Sequence, residues 1–418
     1  MRYDSIIIGG GLSGLICGLQ LVQAGRRVAI VSAGQSALHF SSGSFDLLGS
    51  LPNGEVVTSP TEGVKRLVEI APSHPYAKIG VEEFESLACR AEALLCSADV
   101  SVSGSPKQNH YRLTPMGVLK SAWLTIDGYV RSEQAEGLAW KRVALFNAEG
   151  FLDFYTQFIA DELRKLGTTC LVHTFNLPAL EPIRNNPTEM RSANIARIFD
   201  SEANVDALAA IIAREAGDCE AVLLPAFLGI ANGRVLDELR EKSGREIYVV
   251  ATLPPSVPGV RAQLALRRAF ERAGGVYMLG DTVVGYDMVD GRIAKVYSAN
   301  HSDIGLEADD YVLATGSYFS RGLEATREGV CEPIFGLDVD AATDRGEWYR
   351  RDLFEAQPFE KFGVVTDEAL HAVKEGKAVE NLYVCGAGLS GFNPVKEQCG
   401  AGVSMLTALR VADNILKK

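Results

Sequence analysis

Residues 3–14 read Tyr3-Asp4-Ser5-Ile6-Ile7-Ile8-Gly9-Gly10-Gly11-Leu12-Ser13-Gly14, and their reading decides the fold. Residues 3–8 are an apolar, isoleucine-rich run of the kind that forms a buried parallel strand. The run passes directly into glycines at 9, 11 and 14, the G-x-G-x-x-G spacing, and then into a helical stretch over 15–23. In a strand, turn and helix unit these glycines have separate duties. Gly9 permits the tight turn, Gly11 lets backbone approach a phosphate, and Gly14 lets helix and strand pack closely; the N–H groups of the helix start then face an anion. Gly25 ends the helix and residues 27–31 (RVAIV) supply a second strand. Gly9, Gly10, Gly11 and Gly14 are therefore candidates for holding a nucleotide or flavin phosphate, the competing reading being a glycine turn of purely structural purpose.

One element of a dinucleotide site is missing. Such sites place Asp or Glu at the end of the second strand to accept hydrogen bonds from the adenosine ribose, and here that position is Ser32. Either another side chain holds the ribose and Ser32 contributes a hydroxyl, or the ligand has no adenosine half. The second reading favours flavin mononucleotide (FMN), with flavin-adenine dinucleotide (FAD) as the alternative.

Working outward, the chain has 418 residues, 47% apolar and 22% charged, which suits two or three globular domains. Its 41 glycines follow no G-X-Y period, so a collagen-like fibre is excluded. Lys and Arg number 41 against 53 Asp and Glu, a formal charge of −12, and no general attraction to nucleic acid or an anionic bilayer is expected. Eight cysteines are scattered without a C-x-x-C, which speaks against zinc-ribbon or iron–sulfur ligation and for free thiols in a reducing cytosol. The apolar stretch 6–21 imitates a signal peptide. Asp4 in front of it, its glycines, and Arg26 and Arg27 without a cleavage site argue against one. No membrane span is expected, because no other apolar run reaches about 18 residues. The six histidines (His39, His74, His110, His173, His301, His371) show no metal spacing; no metal site is expected and no general base is identified.

Further along, residues 260–273 have helical spacing and stop at Gly274-Gly275, and β-like runs over 282–289 and 292–298 meet at Asp290-Gly291, a hairpin signal. Residues 309–316 (DDYVLATG) read as a buried strand ending in Gly316. Residues 381–386 (NLYVCG) read as another, followed by further glycines and an amphipathic helix over 403–416. Between the opening unit and this half lies an insertion of strands (140–146, 169–175, 220–225) and a helix (152–166), which reads as a second α/β layer.

This order of elements resembles the flavoproteins with two dinucleotide-binding domains. The resemblance implies an α/β, Rossmann-like fold with a discontinuous flavin-binding domain over 1–48, 259–330 and 378–418. A large second α/β domain, a cap or partner-binding unit, would be inserted over 49–258 and 331–377. In that family the strand ending at Gly316 returns to the flavin and the loop carrying Gly386 and Gly388 passes beside it. The family's acidic residue in that loop is absent here, where the sequence is Gly386-Ala387-Gly388.

A narrower resemblance rests on residues 3–21, 36–48 (SALHFSSGSFDLL), 194–197 (NIAR), 252–261 (TLPPSVPGVR), 345–349 (RGEWY) and 362–368 (FGVVTDE). Across essentially the whole chain these resemble the B subunit of the bacterial anaerobic glycerol-3-phosphate dehydrogenases. The resemblance implies a cytoplasmic flavoprotein, assigned FMN, that pairs with a flavin-containing A subunit and docks through an iron–sulfur C subunit on the inner face of the membrane. It implies oxidation of sn-glycerol 3-phosphate to dihydroxyacetone phosphate, electrons passing to quinone and finally to fumarate or nitrate. The alternative is a flavin-fold scaffold that has lost its cofactor and assembles the complex. Arg191, Arg197, Arg261 and Arg345 stand in or near the matching motifs and are candidates for the substrate phosphate. Ser41, Ser42, Gly43 and Ser44 are candidates for donating to flavin phosphate or ring oxygens. His39 sits where related flavoproteins attach flavin covalently, against an ordinary structural histidine. Cys385 and Cys399 are either a redox pair or, the preferred reading, buried inert thiols.

Overall fold

Ile6, Ile7 and Ile8 are at most 3% exposed because their strand, β1 (Arg2–Ile8), runs through the middle of a parallel sheet. The structure, a computed structural model, describes residues 2–34, 36–186 and 188–418. Helix α1 (Leu12–Gln23) follows the glycine turn and returns the chain to β2 (Val28–Ser32), parallel to β1. Ser13 and Gly14, poor helix formers, are already helical, so α1 begins three residues before the apolar periodicity does. After the insertion, α2 (Val257–Arg272) leads into β3 (Val276–Leu279), which joins the sheet beside β2. The short strand β3 is absent from the sequence reading, where residues 276–279 follow the glycine stop without periodicity.

The hairpin of β4 (Val283–Val289) and β5 (Arg292–Ser298) turns at Asp290 and Gly291, both left-handed at φ 49° and 75°, as a tight two-residue turn requires. Strand β6 (His301–Leu313) is longer than expected and serves two sheets. Its first half pairs antiparallel with β5, and its second half lies parallel between β1 and β7 (Lys377–Val384). The parallel order is thus β3-β2-β1-β6-β7. Helix α3 (Gly400–Leu416) packs on α1 and ends the chain. Gly18 allows α1 to approach: an added Cβ would stand 2.8 Å from Ile30 and 3.1 Å from Phe270 of α2.

A second parallel sheet has the order Thr169–Phe175, Arg142–Ala148, Ala221–Pro225, Ile247–Val250, with a helix in each connection. It has its own hydrophobic core, drawn from Leu113 to Ala251. The helices Pro60–Ile70 and Val81–Ser97, and the buried residues Phe335, Leu337, Val364 and Leu370, share the first core instead. The inserted segment is therefore divided between the two cores. Among the described residues no helix is long and apolar enough to cross a membrane.

Candidate cofactor site

In an open α/β sheet the strand ends on either side of the first strand leave a crevice, since the chain departs in opposite directions there. Here that crevice is a cavity of about 710 Å³ over the ends of β1, β2 and β6. Gly9 has a φ of 118°, and an added Cβ would stand 2.2 Å from the Ala314 carbonyl at the end of β6. A Cβ on Gly14 would stand 1.9 Å from the Gly9 carbonyl, so helix and turn touch there. Gly11 is different: its backbone is ordinary, and an added Cβ would meet only Ser36, at 3.7 Å, while the residue itself lines the cavity. No side chain caps α1 and no acidic residue stands in its first turn, so its backbone N–H groups meet the cavity without a competing anion. A phosphate fits this cradle.

Of the eleven expected cofactor residues, Gly9, Gly10, Gly11, Ser32, Ser41, Ser42 and Gly316 line the cavity. Gly14, Gly43, Gly386 and Gly388 stand behind the wall. An added Cβ would lie 2.3 Å from the Tyr129 ring at Gly43, 2.1 Å from Ser13 Oγ at Gly386 and 3.1 Å from the Gly316 carbonyl at Gly388. Ser44 lines the cavity and hydrogen-bonds Ser42, Oγ to Oγ at 3.2 Å. Below the turn, the Tyr277 hydroxyl donates to the Gly10 carbonyl at 3.2 Å.

The cavity extends to both sides of β1. On the β2 side it reaches Ser32, Ala33 and Gly34 and the segment 281–283 after β3; on the β6 and β7 side it reaches Phe45, Ala387, Ala401 and Ser404. Sequence reasoning missed Asp281, a 3%-exposed carboxylate on the β2 side that accepts from Thr282 N at 2.9 Å and Asn300 N at 3.0 Å. Burial works to raise its pKa, but these donors together with Ser298 and His301 hold it below the usual carboxylate range. Asp46 was missed too: its Oδ1 accepts from Ala401 N at 2.8 Å, the first turn of α3. Both residues lie outside any glycine motif, and only tertiary pairing reveals them.

Other candidates fall elsewhere. His39 shares a hydrogen bond with Gln263, does not line the cavity, and burial pulls its pKa down. Arg191 pairs with Asp153 at 2.8 Å, Arg197 bonds Asn194 at 2.9 Å, and Arg345 stacks over Trp348 at 5.1 Å. Of the four arginines, Arg261 lines a second cavity, separate from that over β1. Cys385 and Cys399 are both free and buried; burial pushes the Cys385 thiol up to about 12 and holds the Cys399 thiol well above its ordinary value. Cys399 lies instead against His74 (Nε2 at 4.0 Å) and Glu397 (Oε2 at 3.8 Å). His74, Glu397 and Cys399 hold three donor atoms within 4.8 Å of one another. His74 Nδ1 accepts from Tyr76 N at 3.0 Å, which leaves the ring proton on Nε2, directed at Glu397 Oε2 at 3.2 Å. The nitrogen a metal would need is therefore occupied by a hydrogen bond.

A family model described as an FAD binding domain matches residues 4–403. A Yersinia enterocolitica protein, named as the B subunit of anaerobic glycerol-3-phosphate dehydrogenase, is 45% identical over 417 residues, covering 100% of this chain and 98% of that protein. Its namesake in Vibrio cholerae is 39% identical over 424 residues, covering 100% and 97%. Among solved structures, a 3-ketosteroid delta1-dehydrogenase from Sterolibacterium denitrificans is similar over 100% of both chains, with a TM-score of 0.48 and 10% identity. The family's FAD description supports a flavin and favours the dinucleotide over the expected FMN. The absent acid at Ser32 misled because the strand end it marks still opens onto the cavity.

Proposed function

The chain belongs to the B-subunit family of the anaerobic glycerol-3-phosphate dehydrogenases, and from that premise we propose that it is a flavoprotein component that takes part in oxidising sn-glycerol 3-phosphate to dihydroxyacetone phosphate. The cofactor in this reading is FAD. The observation that carries it is the cavity open on both sides of β1, with the uncapped start of α1 between them. The backbone N–H groups of the first turn of α1 hold the pyrophosphate, and Gly11 supplies the clearance for it. Ser41 and Ser42 offer hydroxyls to the cavity. Gly9 and Gly316 keep the floor low enough for backbone to meet the ligand, while Gly14, Gly43, Gly386 and Gly388 let the wall close behind it. A bound flavin supplies an acceptor that takes two electrons together and passes them on singly.

The dispersed cysteines support an iron–sulfur relay in a different chain, so the reading includes a flavin-containing A subunit and an iron–sulfur C subunit as partners. Electrons then reach quinone, with fumarate or nitrate as final acceptor, and the chain works at the inner face of the membrane through those partners. Purification of the chain, denaturation and chromatography of the released material tests the cofactor directly. Stoichiometric FAD is the expected result; FMN in equal amount returns the mononucleotide, and a colourless protein supports the cofactor-free scaffold.

A further inference from the structure

Tyr129 separates the cofactor cavity from a second cavity of about 570 Å³ that it lines together with Arg261. The hydroxyl end of its ring lies over Gly43, where an added Cβ would stand 2.3 Å from Cζ, and the two residues before Gly43 line the cofactor cavity. Tyr129 is 5% exposed and its hydroxyl has no hydrogen-bond partner. Beside it, Leu113 N donates to the Val130 carbonyl at 3.4 Å, which brings the strand His110–Leu113 alongside and Arg112 with it. Arg112 Nη1 is likewise buried without a partner. Arg261, on α2, donates Nη2 to the Gly233 carbonyl at 3.3 Å. Burial acts against both guanidinium charges and against ionisation of the Tyr129 hydroxyl, and the charge of each arginine reaches that hydroxyl.

Two nearby carboxylates are engaged elsewhere, while Asp99, Asp127 and Asp237 line the second cavity together with Arg234, Arg240, Arg268 and Arg272. Asp46, which faces Arg112, accepts from Ala401 N at 2.8 Å, and Asp200, which faces Arg261, accepts from Ala231 N at 3.1 Å and Asn232 N at 3.0 Å. Tyr129 and Arg261 thus line one cavity, with the unpaired Nη1 of Arg112 on the strand beside them, in a chain whose formal charge is −12. Donors left unpaired in low dielectric are costly, and an anion rich in acceptor oxygens is the complement that relieves them. The planar guanidinium fork matches phosphate oxygens two at a time.

We infer that Arg112, Tyr129 and Arg261 form the phosphate subsite for a small phosphomonoester substrate, on the far side of the loop 41–43 from the flavin. The assignment rests on the dehydrogenase reading and deepens it: it names the residues that would take the substrate's phosphate. Calorimetry on the flavin-loaded chain, titrated with sn-glycerol 3-phosphate, inorganic phosphate and glycerol, tests it. The first two bind and glycerol does not. Arg112→Met and Arg261→Met each weaken both phosphate ligands about tenfold or more, and Tyr129→Phe, which removes only a hydroxyl, weakens them less; flavin content is unchanged in all three. Unaltered affinity in Arg112→Met and Tyr129→Phe overturns the inference, as does failure of the unmodified protein to bind either phosphate ligand. If the complete complex oxidises sn-glycerol 3-phosphate with the same KM in all variants, the inference fails and the dehydrogenase reading stands. If phosphate binding is lost in the variants but glycerol 3-phosphate never reduces the bound flavin, the subsite stands and the dehydrogenase reading fails.

Discussion

The molecule contains two parallel sheets with the same kind of switch point, and they use it in opposite ways. In the first, the chain leaves β1 through Gly9, Gly10 and Gly11 and leaves β6 through Ala314, Thr315 and Gly316, so the crevice between the strand ends is walled by backbone. In the second, Arg142–Ala148 and Ala221–Pro225 flank the switch point, and the chain just past them carries Phe151 and Phe227. These rings meet edge to face at 5.4 Å, and Phe199 stacks on Phe227 at 5.8 Å and 10°. All three are at most 2% exposed. Topology offers a crevice in both places; the residues just past the strand ends decide whether it receives a ligand or becomes core.

The sharpest way to break this contrast is Phe227→Ala. If the aromatic plug is core, the truncation costs about 3–5 kcal/mol of stability in denaturant unfolding while flavin stays bound. A loss below about 1 kcal/mol would show that the second crevice is not packed. Next in size is Gly11→Val. The backbone at Gly11 tolerates a side chain, so the fold persists by circular dichroism, but flavin affinity falls about a hundredfold, near 3 kcal/mol, as the branched Cβ fills the phosphate cradle. Flavin retained in full by a folded Gly11→Val protein would remove that role.

Acid distinguishes the two regions more gently. Burial, then the Arg131 charge, lowers the His110 pKa from 6.5 to about 4, and burial lowers His74 as well; His74 packs in the first core and His110 hydrogen-bonds Thr125 beside it. The folded pKa lies below the unfolded one, so the unfolded chain takes up protons first. Stability is therefore full above about pH 6.5 and falls as the pH drops toward 4, by about 2 kcal/mol at pH 5 for His110 alone. Denaturant titrations from about pH 7 to pH 5 check this, and His110→Gln flattens the slope. The smallest effect is Tyr277→Phe, which removes the hydroxyl under Gly10 and costs about 1 kcal/mol of thermal stability, measured with flavin bound.

The opening unit was legible because its signals are local: an apolar run, glycines at fixed spacing and a stop at Gly25 all lie within one short stretch of chain. The Asp290-Gly291 hairpin was legible for the same reason. Strand β3 was not, since four residues at the sheet edge have no periodicity to read and exist as a strand only because β2 offers a partner. The start of α1 was placed late because Gly14 is a poor helix former that is helical for the sake of contact with Gly9. Arg261 was visible as an arginine among several, but its meaning came from Tyr129 and Arg112, which no spacing rule connects to it. Cys385 and Cys399, preferentially read as inert thiols, are free and buried, and though near in sequence they lie in different surroundings, Cys385 near Cys17 and Cys399 against His74.

The pairing of β1 with β6 bears on how the protein is made. Arg2 at the start of β1 meets Asp309 in β6, 307 positions later. At the pace of a ribosome that separation is roughly 15–60 s of synthesis. The four strands of the second sheet, by contrast, all fall between Arg142 and Val250, so that lobe can close while the rest of the chain is still being made. Throughout that interval β1 has β2 on one edge and no strand on the other. The residues of β1 are thus among the last to reach all their final neighbours, and a nascent chain stalled before β6 emerges bears a closed second lobe and an unfinished first one.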